Sequence, residues 1–123
     1  MLVLAGTQRW VAWSEPDDQN LSDQAIWAKQ RDDQGDWTGG QVTDYAGEQL
    51  VDPDVAAFGE TVYVAFARDV DGFGDIFVAR HSGGTWLQPA DITASTKRPM
   101  TRNDYEPSLA VSRDGKLAMA YLS

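Results

Sequence analysis

A chain of 123 residues with 42% hydrophobic and 11% aromatic residues has the length and apolar content of one packed domain, which excludes a disordered or low-complexity polymer. Nineteen acidic residues against ten basic ones give a formal charge of -9, which excludes nucleic acid and anionic membrane surfaces as partners because both demand a basic face. With no cysteine and one histidine, His81, there is no disulfide framework, thiolate nucleophile or multi-histidine metal cage; cations, neutral ligands and sugars remain open.

In chain order the apolar runs are short and rich in β-branched, aromatic and alanine residues, and none keeps a 3.6-residue period over three turns. LVLA (2–5) and WVAWS (10–14) open the chain, followed by QAIWAKQRDDQGDW (24–37), in which Trp37 starts a fourth strand. The next set is DVAAF (54–58), TVYVAFA (61–67), DIFVARH (75–81) and a weaker WLQPADIT (86–93), with tight glycine turns at FGE and HSGG. EPSLA (106–110) and AMAYL (118–122) close it. No run approaches the length of a membrane span and MLVLAG is too short for a signal peptide. The chain as written is expected to be soluble, with an extracytoplasmic location left open for any longer parent.

The sets repeat. Ala12, Ala65 and Ala120 stand 53 and 55 residues apart, each followed by an aromatic, Trp13, Phe66 or Tyr121. Ile26 aligns with Ile76 and Trp37 with Trp86 at spacings of 50 and 49, and Pro53 aligns with Pro107 at 54. One period near fifty residues, holding four antiparallel strands, is the unit of a β-propeller blade. The expected fold is therefore all-β, with a blade at 1–51, a blade at 52–105 and a half blade at 106–123, an incomplete ring in one chain. Strands such as YVAFA, apolar on both faces, suit a sheet sandwiched between two neighbours.

The acid-proline lead, the alanine-rich strand, Gly-x-x-Asp-Ile-aromatic and Gly-Gly-x-Trp together resemble the bacterial-neuraminidase-repeat, or Asp-box, propellers of the sialidase-like superfamily. Their signature is Ser-x-Asp-x-Gly-x-Thr-Trp between third and fourth strands. Here Ser82-Gly83-Gly84-Thr85-Trp86 keeps the serine, a glycine and Thr-Trp without the acid, and Asp33-Gln34-Gly35-Asp36-Trp37 keeps acid, glycine and tryptophan with one residue fewer. The resemblance implies a propeller whose innermost strands line a channel. It places Asp52, Asp54, Asn103, Asp104, Tyr105 and Glu106 around the channel mouth, where an acidic rim suits sugar hydroxyls or a cation.

Asp54 and Glu106 also resemble the paired acid and base at the starts of successive inner strands of five- and six-bladed glycoside hydrolases; the competing reading is that the acid-proline lead fixes how the strand begins. Arg68, Arg98 and Arg102 match the substrate-gripping arginines of a sialidase by loop position alone. Asp69, Asp71 and Asp75 in DVDGFGD are a candidate oxygen cage that resembles the calcium loops of integrin-type propellers, making Ca2+ the one cofactor to consider and none required; solvated hairpin acids are the alternative. The five tryptophans read as core or interblade packing before sugar platforms.

Two blades and half of a third fall short of the roughly four to eight that close a propeller. The expected function is that of a propeller fragment or building block that associates with copies of itself, in a binding or scaffold role for glycan or cation at the mouth. Turnover is the lesser expectation, and the alternative is a truncated glycoside hydrolase whose other catalytic groups lie in missing blades.

Overall fold

The computed structural model describes residues 2–5, 8–16, 24–43, 48, 50–70, 73–93 and 103–122. These residues form antiparallel β-sheets joined by turns, with no helix among them and so none that could cross a membrane. The fold is all-β. Each sheet comes from one consecutive stretch of chain. β1 (Leu2–Ala5), β2 (Gln8–Pro16), β3 (Gln24–Arg31) and β4 (Trp37–Gln41) pair in chain order as the first sheet. β5 (Val51–Phe58), β6 (Thr61–Val70), β7 (Phe73–Ser82) and β8 (Thr85–Trp86) make the central sheet, with β9 (Ala90–Asp91) also pairing β7. β10 (Tyr105–Val111) and β11 (Leu117–Leu122) form a third sheet of two strands.

The fourth strand of the central sheet differs from the single run expected over 86–93. Pro89 has no N–H to give to the ladder, so pairing breaks into β8 and β9 and resumes where Ile92 donates to the Ile76 carbonyl at 2.8 Å. The first sheet has the same bond fifty residues earlier, from Val42 N to Ile26 O at 2.8 Å.

Alternation along the strands gives the central sheet two apolar faces. Val55, Val62, Val64, Phe66, Phe77 and Ala79 pack against Trp10, Ala12, Ile26 and Ala28 of the first sheet. Ala56, Ala65, Ala67 and Ile76 pack, with Tyr63 and Val78, against Leu109, Val111, Met119 and Tyr121 of the third. The three sheets are therefore stacked layers with the central one covered on both sides. They meet along their first strands: β5 lies against β1 and β2 on one side and β10 on the other, and contact thins toward the outer strands.

Of the tryptophans, Trp10 and Trp27 are buried and Trp86 half-buried, whereas Trp37 is 47% exposed with the Arg31 guanidinium 5.9 Å from its ring. Trp37 is a surface aromatic at the end of the β3–β4 ladder.

Candidate functional site

The acid-proline leads are the most strained backbone in the described chain. Asp52 and Glu106, 54 residues apart, hold φ of 56° and 50°, the only non-glycine residues described with positive φ. Each precedes a proline, a position sterically pushed away from helical backbone. The cause is a bulge at the start of β5 between Val51 and Asp54, repeated at the start of β10 between Tyr105 and Ser108. Both acid side chains are exposed. The bulge turns the next acid inward: Asp54 is 8% exposed, and its Oδ2 accepts the Leu109 main-chain N–H at 2.6 Å. Asp54 thus ties the central sheet to the third, and Asp54 and Glu106 differ sharply in environment.

At this same end of the stack, between the central and third sheets, lies a cleft of about 150 Å³ lined by Val51, Arg68, Asp69, Asn103, Asp104 and Tyr105. Its wall is strapped to Gly74. The Gly74 N–H donates to Asn103 Oδ1 at 2.9 Å, Asp104 N donates back to Gly74 O at 2.9 Å, and a Cβ at Gly74 would stand 2.8 Å from the Asp104 carbonyl oxygen. Only glycine lets the strand and the strap approach this closely. Asp104 is fully buried, while Tyr105 is 42% exposed at the rim.

Arg68 borders the cleft at the end of β6, but its side chain lies on the opposite face of the central sheet, the face of Phe66 and Phe77, where Glu48 clamps its guanidinium at 2.5 and 2.8 Å and the Phe77 ring lies 5.1 Å away. A bidentate pair of this kind fixes the guanidinium plane.

No family model matches this chain, and no curated protein matches its sequence.

The structure therefore brings together Asn103, Asp104 and Tyr105 with Asp69, and leaves the Arg68 side chain on the opposite face of the central sheet. It sets Asp54 into the sheet interface and leaves Asp52 and Glu106 on exposed bulges. Arg98 and Arg102 lie outside the described residues. So does Asp71, and its two companions are strand residues, because β6 and β7 run on until Val70 faces Phe73. Asp69 shares the face of Ala65 and Ala67, and Asp75 shares the face of Phe77 and Ala79, so the ladder points these two acids to opposite sides of the sheet. Asp75 is buried opposite Arg68.

Sequence reasoning missed a second set of residues. Thr43 and Thr93, fifty apart and buried, each take a main-chain N–H of the third strand on the hydroxyl oxygen, from Ile26 at 3.2 Å and Ile76 at 3.0 Å. The signal was present as Val42-Thr43 and Ile92-Thr93. In the β3–β4 turn the organising acid is Asp32 rather than Asp33: its Oδ1 accepts the N–H groups of Gln34 at 3.0 Å and Asp36 at 2.9 Å. At the opposite end of the stack His81 sits between Trp10 and Trp86, with ring centroids 4.9 and 5.0 Å away. Burial there pushes its pKa below the ordinary 6.5, opposed by a main-chain interaction with Gly84.

Proposed function

We propose that this chain is a β-propeller segment of the sialidase-like kind, a building block that associates with copies of itself and binds a hydroxyl-rich glycan at the mouth where its first strands converge. Supporting the propeller reading are the fifty-residue repeat, the consecutive four-stranded sheets, their stacking on both faces of the central one, and their convergence on β1, β5 and β10.

One observation carries the binding role. Leu50 and Asp104, 54 residues apart, occupy matching places: each is fully buried, and each donates its main-chain N–H to the start of the third strand, Leu50 to Gln24 O at 3.0 Å and Asp104 to Gly74 O at 2.9 Å. Leucine serves the packing in one repeat. In the other repeat the matching place carries an acid, Asp104, at the wall of a cleft shared with Asn103, Asp69 and Tyr105, which is 42% exposed. Carboxylate and amide acceptors beside an aromatic face are the groups that take sugar hydroxyls and a pyranose ring. The cleft is smaller than the roughly 300–1,000 Å³ of pockets for drug-sized ligands, so it suits one ring or one ion. Asp54, with an oxygen committed to Leu109 N, speaks for binding over turnover.

The test is titration calorimetry of the chain with a panel of monosaccharides and with Ca2+. Binding of at least one sugar, abolished by Tyr105→Ala and Asp104→Asn with the fold retained by circular dichroism, is the expected result. Binding of Ca2+ alone, or of nothing, overturns the glycan assignment.

A further inference from the structure

Both sheet interfaces inside the chain are built from the same two unlike faces. In the first, the small Ala12 and Ala28 of the first sheet share a core with Val64, Phe66 and Phe77 of the central sheet. In the second, the small Ala65 and Ala67 of the central sheet meet Met119 and Tyr121 of the third. Ala65 is the repeat equivalent of Ala12, and Met119 and Tyr121 are those of Val64 and Phe66. At these repeated second-strand positions each sheet thus presents alanine forward and a larger side chain backward.

The outermost sheets continue this pattern. Because Leu109, Val111, Met119 and Tyr121 point into the core, Ala110, Ala118, Ala120 and Leu122 point away from it, and all four are exposed. This is the forward face again, with Ala120 at the place of Ala12 and Ala65. Because Trp10, Ala12, Ile26 and Ala28 point into the core, Val11, Trp13 and Trp27 share the opposite face of the first sheet. They are the equivalents of Val64, Phe66 and Phe77, and Trp13 and Trp27 are direct cross-strand partners. On this backward face Val11 and Trp13 are half-buried, and Trp27 is 8% exposed.

From this continuity we infer that the chain associates head to tail with a second copy: the Ala118–Ala120 face of one copy docks on the Val11–Trp13–Trp27 face of the next, repeating the internal interface. The inference rests on the self-association reading above and adds its polarity and its residues. Ser108, exposed at the place that Asp54 holds in the central sheet, is set to offer its hydroxyl to the first strand of the docked copy, as Asp54 does to Leu109. Such an interface is heterologous, so it closes a ring if the rotation per copy allows and otherwise runs on as a filament.

A mixing experiment separates the polarity from the association itself. Ala120→Arg blocks the forward face and Val11→Arg the backward face, each placing a charge in an apolar contact. By light scattering after size exclusion, each variant alone is expected to be monomeric where the unaltered chain is oligomeric, and an equimolar mixture is expected to form a dimer of one each and nothing larger. Variants that both dissociate without forming that dimer overturn the head-to-tail inference while self-association stands, and variants that keep the unaltered mass overturn it too. A monomeric unaltered chain overturns self-association and this inference together. If either arginine variant fails to fold, tryptophan emission of the unaltered chain is followed on dilution. A red shift on dilution that shrinks in Trp13→Phe supports docking on this face, and an undiminished or absent shift contradicts it.

Discussion

Asp54 shows why a residue's chemistry has to be read with its neighbours. Its acid-proline setting invites a catalytic role, but the carboxylate is buried and accepts the Leu109 N–H at 2.6 Å. Asp54→Ala leaves that buried donor without a partner, at a cost of about 1–3 kcal/mol, and the expected readout is a lower thermal midpoint, with Asp54→Asn milder because its amide oxygen still accepts. An unchanged midpoint in the alanine variant would return Asp54 to the pool of free carboxylates. His81 makes the complementary case, a titratable group with a packing role. Its folded pKa lies below 6.5 because it is buried against Trp10 and Trp86, so the unfolded chain binds the proton more readily. Stability is then full above pH 6.5 and declines as the pH falls through 6.5 toward the folded value. Since His81 is the one histidine, thermal midpoints taken between pH 7.5 and 5.5 should show this decline, and His81→Phe should flatten it; an equal slope in the variant would place the proton elsewhere.

At the scale of elements the repeat made most strands legible, because the same residue types recur at equivalent ladder positions. Trp37 faces Arg31 as Trp86 faces His81, and Trp13 faces Trp27 as Phe66 faces Phe77. What stayed hidden depended on pairing rather than composition. Asp69 read as part of a loop between strands ending at 67 and starting at 75, because glycine and aspartate are loop formers, yet the β6–β7 ladder carries it as a strand residue paired with Gly74. The break at Pro89 and the threonine bonds to Ile26 and Ile76 likewise became visible only with the register known. The threonine pair yields a prediction: Thr93→Val keeps the shape but strips the acceptor from the Ile76 N–H, so the midpoint should fall by an amount worth about 1–3 kcal/mol. Thr43→Val should act alike on the first sheet. Serine at either site should restore most of the loss, and a failure of serine to do so would make methyl packing, not the bond, the reason for threonine.

For the whole molecule, the cleft shows the same limit on what sequence can give. Asn103, Asp104 and Tyr105 were legible as a group from their place before a repeated strand, while Asp69 joins them only through the stacking of β6 beside β10. A further apolar groove of about 390 Å³, lined in part by Tyr63, Val78, Leu109, Leu117 and Met119, runs beside the free edge of β11; it exists because the two-stranded third sheet covers less than the full face of the central one. Exposed edges and apolar faces favour association, and the forward and backward faces left at the two ends of the stack match those already joined inside it. The measurement that tests this most directly is the absolute mass of the unaltered chain in solution, by light scattering after size exclusion over a range of concentrations. A discrete oligomer with a mass that is a whole multiple of 13.5 kDa is the predicted result, and a monomer at every concentration would contradict it.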